Sequence, residues 1–147
     1  MGSKARGFLR MHKIAVREAA AETLSGLLRC DFMEADEKFL ERAARMARPT
    51  AAGNEAAATT RRRHAGVLAL AAAVKAHPYD VPDHLPAALV RLARHAVDKP
   101  PVSETVRRTL AEFKRTHQDS WQEHKARFSD DQLALLTDLL VSPNYYV

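Results

Sequence analysis

Alanine and leucine dominate the apolar residues of this chain, and that imbalance restricts its fold more than any other feature. The 147 residues include 27 Ala and 16 Leu but only 10 Val and 1 Ile. β-Sheets are built mainly from β-branched and aromatic side chains, whereas Ala and Leu have high helix propensities. The composition therefore predicts an all-α fold in which small side chains let the helices pack closely.

Apolar residues recur at helical spacing in segments that are separated by prolines and small polar residues. Ser129 and Gln132 have the spacing of a capping box, which predicts where the last helix begins. Residues 49–60 are small and almost uncharged, and they are predicted to form a surface loop. Helices are predicted over residues 14–29, 34–48, 61–76, 83–97, from 103 onward, and 129–140.

Three of the helical segments have similar openings, at Val16, Arg62 and Val106. These positions are 46 and 44 residues apart, within the range of two-helix HEAT repeats. The spacing predicts a HEAT-like α-solenoid of about three helix pairs over residues 14–141, with a single helical bundle as the alternative. Residues 1–13 are expected to be an N-terminal extension and residues 142–147 a short extended tail.

The net charge of +5 lies in the first half of the chain, where Arg61, Arg62 and Arg63 are consecutive. Such a run is a candidate polyanion-binding or nuclear-targeting patch. The alternative is the solvated first turn of a helix. Because the surplus charge is modest, we expect no direct nucleic-acid partner. No apolar run approaches the length of a membrane-spanning helix, so no membrane partner is expected either.

The sequence offers no set of residues for catalysis or metal binding. Its seven His include no pair four residues apart, and Cys30 is the only Cys. We therefore expect no metal site, no cofactor and no enzymatic activity. Cys30 is predicted to be a buried structural thiol, and a lone Cys fits a reducing compartment such as the nucleus and cytoplasm. Trp121 is predicted to cover the end of the stack together with Phe113 and Phe128.

The C-terminus is unusual because Tyr145, Tyr146 and Val147 follow a helix-stopping Pro143. Exposed aromatic side chains favour association, so these residues need a partner surface. They either fold back onto the last helices or insert into a pocket of another protein. In such a pocket the terminal carboxylate would pair with a Lys and the Tyr ring would fill a slot.

Residues 114–147, KRTHQDSWQEHKARFSDDQLALLTDLLVSPNYYV, resemble the C-terminal segment of the proteasome activator complex subunit 4 family. The segments AAETLSGLLRC, RHAGVLAL and HPYDVP extend the resemblance over about nine tenths of the chain. Members of this family are very large HEAT-like solenoids that form a dome on the proteasome core particle. The resemblance implies a regulator that uses no ATP and activates a peptidase without being an enzyme itself.

The resemblance also assigns a role to the tail. In this family a hydrophobic–Tyr–any-residue ending enters a pocket between α-subunits of the core particle and favours gate opening. Tyr145, Tyr146 and Val147 match those three positions. The implied function is proteasome binding and gate opening for ubiquitin-independent degradation, with acetylated histones among the substrates. A generic HEAT scaffold whose tail packs internally is the alternative.

Animal members of the family are thought to recognise acetylated histones through an Asn-Phe pair. The matching residues are Asp31 and Phe32, so Asp stands where the family has Asn. An ionised Asp cannot donate the hydrogen bond that an acetyl carbonyl accepts. The family also binds inositol phosphates through basic openings, a role to which no residue of this chain is assigned.

Overall fold

The computed structural model describes residues 13–50 and 56–141, and every regular element in these ranges is helical. The prediction of an all-α fold is confirmed. Short 3₁₀ turns, Gln118–Ser120 and Lys125–Arg127, flank the shortest helix. The helices are α1 (Ile14–Arg29), α2 (Glu37–Ala47), α3 (Ala57–Lys75), α4 (Leu85–Ala93), α5 (Val102–His117), α6 (Trp121–His124) and α7 (Asp130–Val141).

The helices form two layers. In one layer α3 packs between α1 and α5, and in the other α4 contacts both α2 and α7. Contacts from α3 to α2 and to α4 join the layers. The three predicted repeat openings lie in α1, α3 and α5, the successive helices of the first layer. This arrangement is HEAT-like, because each helix pair buries its apolar face against the next pair.

The central helix α3 is surrounded by protein. Every residue from Arg63 to Val74 is buried, which agrees with its almost wholly apolar middle. Gly66 lies at the contact with α2, where a Cβ atom would stand 2.5 Å from the carbonyl oxygen of Ala43 and 2.7 Å from the backbone nitrogen of Ala47. Only the absence of a side chain permits this approach.

Two helices have side-chain caps at their N-termini. The carboxylate of Asp36 accepts a 2.8 Å hydrogen bond from the backbone N–H of Phe39 at the start of α2. At α7 the hydroxyl of Ser129 accepts from the N–H of Gln132 (3.2 Å), and the Gln132 side chain accepts from the N–H of Ser129 (2.8 Å). The predicted capping box is confirmed, and it fixes where the last helix begins.

Three predicted boundaries were wrong. Helix α2 begins at Glu37 rather than at 34, because Asp36 caps its N-terminus. Residues 57–60, predicted to be part of a loop, belong to α3, which begins at Ala57. The N–H groups of Thr59 and Thr60 both donate to the carbonyl of Ala56. Ala57 and Ala58 have high helix propensities, so the helix begins before the two Thr residues. Helix α4 ends at Ala93 rather than at 97. None of the described helices is long and apolar enough to cross a bilayer.

Candidate functional site

The predicted docking residues Tyr145, Tyr146 and Val147 lie outside the described residues, so the structure shows only the helix that carries them. Helix α7 ends at Val141 and packs against α4 and α5. Among the α7 side chains that the structure describes, Leu136 is buried, and Leu133 and Leu139 pack against the core from partly buried positions. The attachment point of the tail is therefore anchored to both layers of the stack.

An aromatic cluster joins α5 to the short helix α6 and to the residues before α7. The Phe113 ring lies edge-on to Trp121 (6.2 Å between centroids) and to Phe128 (6.4 Å). Trp121 and Phe128 are 5.6 Å apart. The prediction that these three side chains cover the end of the stack is confirmed, and Trp121 remains partly exposed at its edge.

His117 fixes the end of α5 to the connection between α3 and α4. Its buried ring stacks on Phe113 at 4.1 Å, and its Nε2 lies 2.9 Å from the carbonyl oxygen of Asp80. Its Nδ1 lies 2.9 Å from the carbonyl oxygen of Phe113 and from the Thr116 hydroxyl, so both ring nitrogens have hydrogen-bond partners. The His124 ring packs edge-on to His117 at 5.1 Å. The sequence predicted an exposed or helix-edge position for His117, and this was wrong, because its partner Asp80 is 37 residues away in the chain.

Beside this cluster lies an apolar cavity of about 250 Å³, which we call the aromatic pocket. Its walls come from the end of α5, from the following turn with the start of α6, and from the last two turns of α7. Aromatic and aliphatic side chains form most of its lining, and polar side chains and one Lys form the rest. The lining residues are Phe113, Lys114, His117, Gln118, Trp121, Leu136 and Thr137.

Asp31 and Phe32 lie in the connection between α1 and α2. Asp31 has a φ of 61°, in the left-handed region, and the Phe32 side chain is 78% exposed. Both line an open groove of about 560 Å³ whose opposite wall is formed by His77 and His84 from the α3–α4 connection. Sequence reasoning identified the first pair but missed the two His residues, because their proximity depends on the stacking of neighbouring helix pairs.

The groove combines an exposed aromatic ring with carboxylates. The carboxyl groups of Asp31 and Glu34 supply acceptor oxygens. The rings of His77 and His84 are 5.1 Å apart. Burial lowers the pKa of His84, so its imidazole is neutral at pH 7. The groove therefore offers hydrogen-bond acceptors and a π-face to a donor-bearing ligand.

Cys30 is exposed, so the prediction of a buried thiol was wrong. It is the residue after α1, and the chain turns away at Asp31, whereas Leu28 is the last buried apolar side chain of that helix. Extending the helical periodicity past the true end of α1 placed Cys30 on the wrong side. Within the described ranges, no group of three or more His, Cys, Asp or Glu side chains could hold a metal ion.

The basic run at the start of α3 is not a continuous exposed patch. Arg62 is exposed, but Arg63 is buried and its Nη2 lies 2.6 Å from Oδ2 of Asp98. The Nε of Arg63 also donates to the carbonyl of Ala47 at 3.0 Å. The hypothesis of a three-residue polyanion patch was therefore wrong for Arg63, which instead joins α2, α3 and the turn before α5.

A buried polar chain crosses the layer of α1, α3 and α5, and sequence reasoning missed it. Arg17 donates to Nδ1 of His64 (3.2 Å), and His64 Nε2 lies 2.9 Å from the Thr105 hydroxyl. That hydroxyl donates onward to the carbonyl of Pro101, so it accepts from Nε2–H. Burial, with a smaller effect of Arg17, lowers the pKa of His64 to about 4. A helical pattern ordinarily places an Arg on the solvent side, so the sequence did not reveal the burial of Arg17.

Comparison with known proteins finds one matching family and several relatives of similar name. Residues 60–147 match the family described as proteasome activator complex subunit 4-like, C-terminal. Proteasome activator complex subunit 4A of Danio rerio and proteasome activator complex subunit 4 of Homo sapiens are each 45% identical over 94% of this chain. Proteasome activator subunit 4 of Arabidopsis thaliana is 35% identical over 91%. The chain spans about 8% of the length of each of these relatives.

Proposed function

Because this chain belongs to the C-terminal family of proteasome activator complex subunit 4, we propose that it binds the proteasome core particle through its last residues. Tyr145, Tyr146 and Val147 enter a pocket between α-subunits and promote opening of the gate. The observation that carries the proposal is the sequence ending Tyr-Tyr-Val on a helix that is anchored to both layers of the stack.

The chemistry of the tail supports this role. A Tyr side chain combines a large apolar surface with a polar tip, which suits a pocket that is dry inside and wet at its mouth. A terminal carboxylate paired with a Lys forms a charge-assisted hydrogen bond worth about 1.5–3 kcal/mol. Pro143 reduces the conformational freedom that the tail loses on binding.

The proposed role is that of a regulator of a peptidase. The chain supplies binding contacts, and peptide hydrolysis takes place in the core particle. Since one tail offers a small contact area, we expect weak affinity for the chain alone. A longer protein would add further contacts and raise the apparent affinity by increasing the effective concentration of the tail.

The test is a titration of latent core particles with the full chain, in which binding and peptidase activity are measured together. Tyr146→Ala is compared with Tyr79→Ala, a matched control because the Tyr79 side chain is 77% exposed on the α3–α4 connection. We expect Tyr146→Ala to lower the affinity at least tenfold and Tyr79→Ala to leave it unchanged. A wild-type chain that does not bind, or two variants that bind equally, would overturn the proposal.

The groove at Asp31 and Phe32 supports a second candidate function, the binding of a basic histone-tail segment. The exposed Phe32 ring offers a cation–π contact, and the carboxylates of Asp31 and Glu34 attract an ammonium group. The acceptor-only Asp31 should favour unmodified over acetylated Lys. Titration with matched histone-tail peptides tests this, with Asp31→Asn expected to shift the preference towards the acetylated form. Equal binding of both peptides by both proteins would contradict it.

A further inference from the structure

We propose that the aromatic pocket is a resting site for the chain's own tail, residues 142–147. In this state one of the two tail tyrosines occupies the cavity between α5, α6 and α7. The geometry of the described residues supports the intramolecular docking by itself. Its regulatory consequence, competition with the core particle for the same tyrosines, rests on the proposed function.

The pocket has the size and the chemistry for one phenol ring. Its volume is about 250 Å³, whereas an apolar cavity of about 150 Å³ already holds benzene. The rings of Phe113 and Trp121 meet edge to face, and both line the cavity that an entering ring would occupy. Leu136 supplies an aliphatic wall. The side towards solvent, at Gln118 and the exposed Thr137, leaves room for a phenolic hydroxyl to reach water.

The tail is attached next to this pocket and is long enough to reach it. Thr137 lines the pocket four residues before Val141, about 6 Å along the axis of α7. Tyr145 and Tyr146 follow Val141 by four and five residues, and an extended chain of that length spans about 13–18 Å. Since Pro143 stops the helix, the tail can turn back across the last turn of α7.

Charge favours the same occupant. Lys114 is half-buried and lines the pocket, and the chain as given ends in a carboxylate. The last twenty residues contain no Lys or Arg, so the tail brings no like charge towards Lys114. A Tyr ring in the cavity therefore places the terminal carboxylate near a cation, as in a receptor pocket for a peptide C-terminus.

Docking of the tail in the aromatic pocket competes with binding of the tail to the core particle. The same tyrosine cannot occupy the aromatic pocket and a pocket of the core particle together. The apparent affinity for the core particle is then lowered by the fraction of chains whose tail is undocked. Anything that fills the aromatic pocket should release the tail and strengthen partner binding.

Trp121 reports on the pocket directly, because it is the only Trp in the sequence. Acrylamide quenching of its fluorescence is measured in the full chain, in a chain ending at Val141 and in the Tyr145→Ala, Tyr146→Ala double variant. We expect at least a twofold larger quenching constant in the last two. A peptide of residues 142–147 added to the shortened chain should restore protection, and Tyr79→Ala should match the wild type. Equal quenching in all proteins would overturn the proposal.

A second variant tests the competition. Thr137→Phe fills the pocket from its exposed edge and leaves both tail tyrosines intact. We expect it to bind the core particle at least threefold more tightly than the wild type, with Thr23→Phe, at an exposed position on α1 far from the pocket in the chain, as the control for an added ring. Unchanged affinity would overturn the competition. If neither protein binds the core particle, the proposed function fails, and Trp121 quenching still decides whether the tail docks.

Discussion

The layer of α1, α3 and α5 and the end formed by α6 and α7 are stabilised by different chemistry. In the layer, small Ala side chains bring the helices close together, and the buried polar chain through His64 is hydrogen-bonded at each link. At the end, the buried rings of Phe113 and Phe128 and the partly exposed ring of Trp121 meet at centroid distances of 5.6–6.4 Å beside an open cavity. The first region has a close-packed middle around α3, with an open groove of about 440 Å³ between α1, α3 and α5, whereas the second has an apolar cavity of about 250 Å³ beside its aromatic rings.

The two regions are therefore suited to different roles. A close-packed layer resists changes in volume and holds the helix ends in fixed positions, so it is suited to mounting another element. A region with a cavity and aromatic edges can accept a side chain from outside. Stability should therefore depend on the layer, and docking on the end. The variants below test this division, beginning with the largest expected effect.

Gly66→Ala should be the most damaging single substitution. Its Cβ would stand within 3 Å of backbone atoms of α2, which cannot move without separating two helices. We expect the free energy of unfolding to fall by about 3 kcal/mol in urea denaturation. Gly26→Ala is the control, since nothing lies within 4 Å of its Cβ and it should stabilise α1 by about 0.5–1 kcal/mol. Equal effects would show that α3 is not closely packed against α2 at Gly66.

His64 should make the layer sensitive to acid. Its pKa is about 4 in the folded protein and about 6.5 in the unfolded chain, so the unfolded state binds the proton first as the pH falls. This contribution to stability is complete above pH 6.5 and is lost progressively down to pH 4, by about 3 kcal/mol. Unfolding measured between pH 7 and pH 4 in the wild type and in His64→Gln should show this difference. Parallel pH profiles would contradict it.

Arg63→Met should destabilise the joint between α2, α3 and α5. The substitution removes the hydrogen bond to Ala47 and leaves the partly buried Asp98 with His95 alone among the partners seen in the described structure. We expect a loss of about 2 kcal/mol in chemical denaturation. Arg62→Met is the matched control on the same helix and should change stability by less than about 0.5 kcal/mol. Similar losses of stability in the two variants would show that the hydrogen bonds of the buried Arg63 do not stabilise the fold.

Trp121→Phe should have the smallest effect on stability. The site is partly exposed and borders a cavity, so a smaller aromatic ring leaves little new empty volume. We expect the free energy of unfolding to change by no more than about 1 kcal/mol. A loss as large as that of Gly66→Ala would show that the C-terminal end is packed as closely as the layer.

The sequence predicted the elements whose causes are local. Helical periodicity and the Ser129–Gln132 pair act within a few turns, and the 46- and 44-residue spacing can be read along the chain as a repeat; the helices that they predict are present. Burial of Arg17 and Arg63 was not predictable in this way. An Arg in a helical pattern is ordinarily placed on the solvent side, and its burial depends on acceptors such as His64 and Asp98 from other helices.

The same limit applies to the candidate sites. The tail tyrosines were recognised from contiguous residues and stay a prediction. The groove at Asp31 could not be drawn from the sequence, because His77 and His84 approach it from the next helix pair. The aromatic pocket was half predicted: Phe113 and Trp121 were expected together, but Leu136 and Thr137 from α7 complete the cavity.

The most direct test compares the full chain with a chain ending at Val141 for binding to latent core particles and for unfolding in urea. We predict that removing residues 142–147 lowers the affinity at least tenfold. Stability should fall by no more than about 1 kcal/mol, because the tail adds little to the stack. A shortened chain that binds as well as the full chain would contradict the assignment of docking to the tail, as would a loss of binding that merely follows unfolding of the stack.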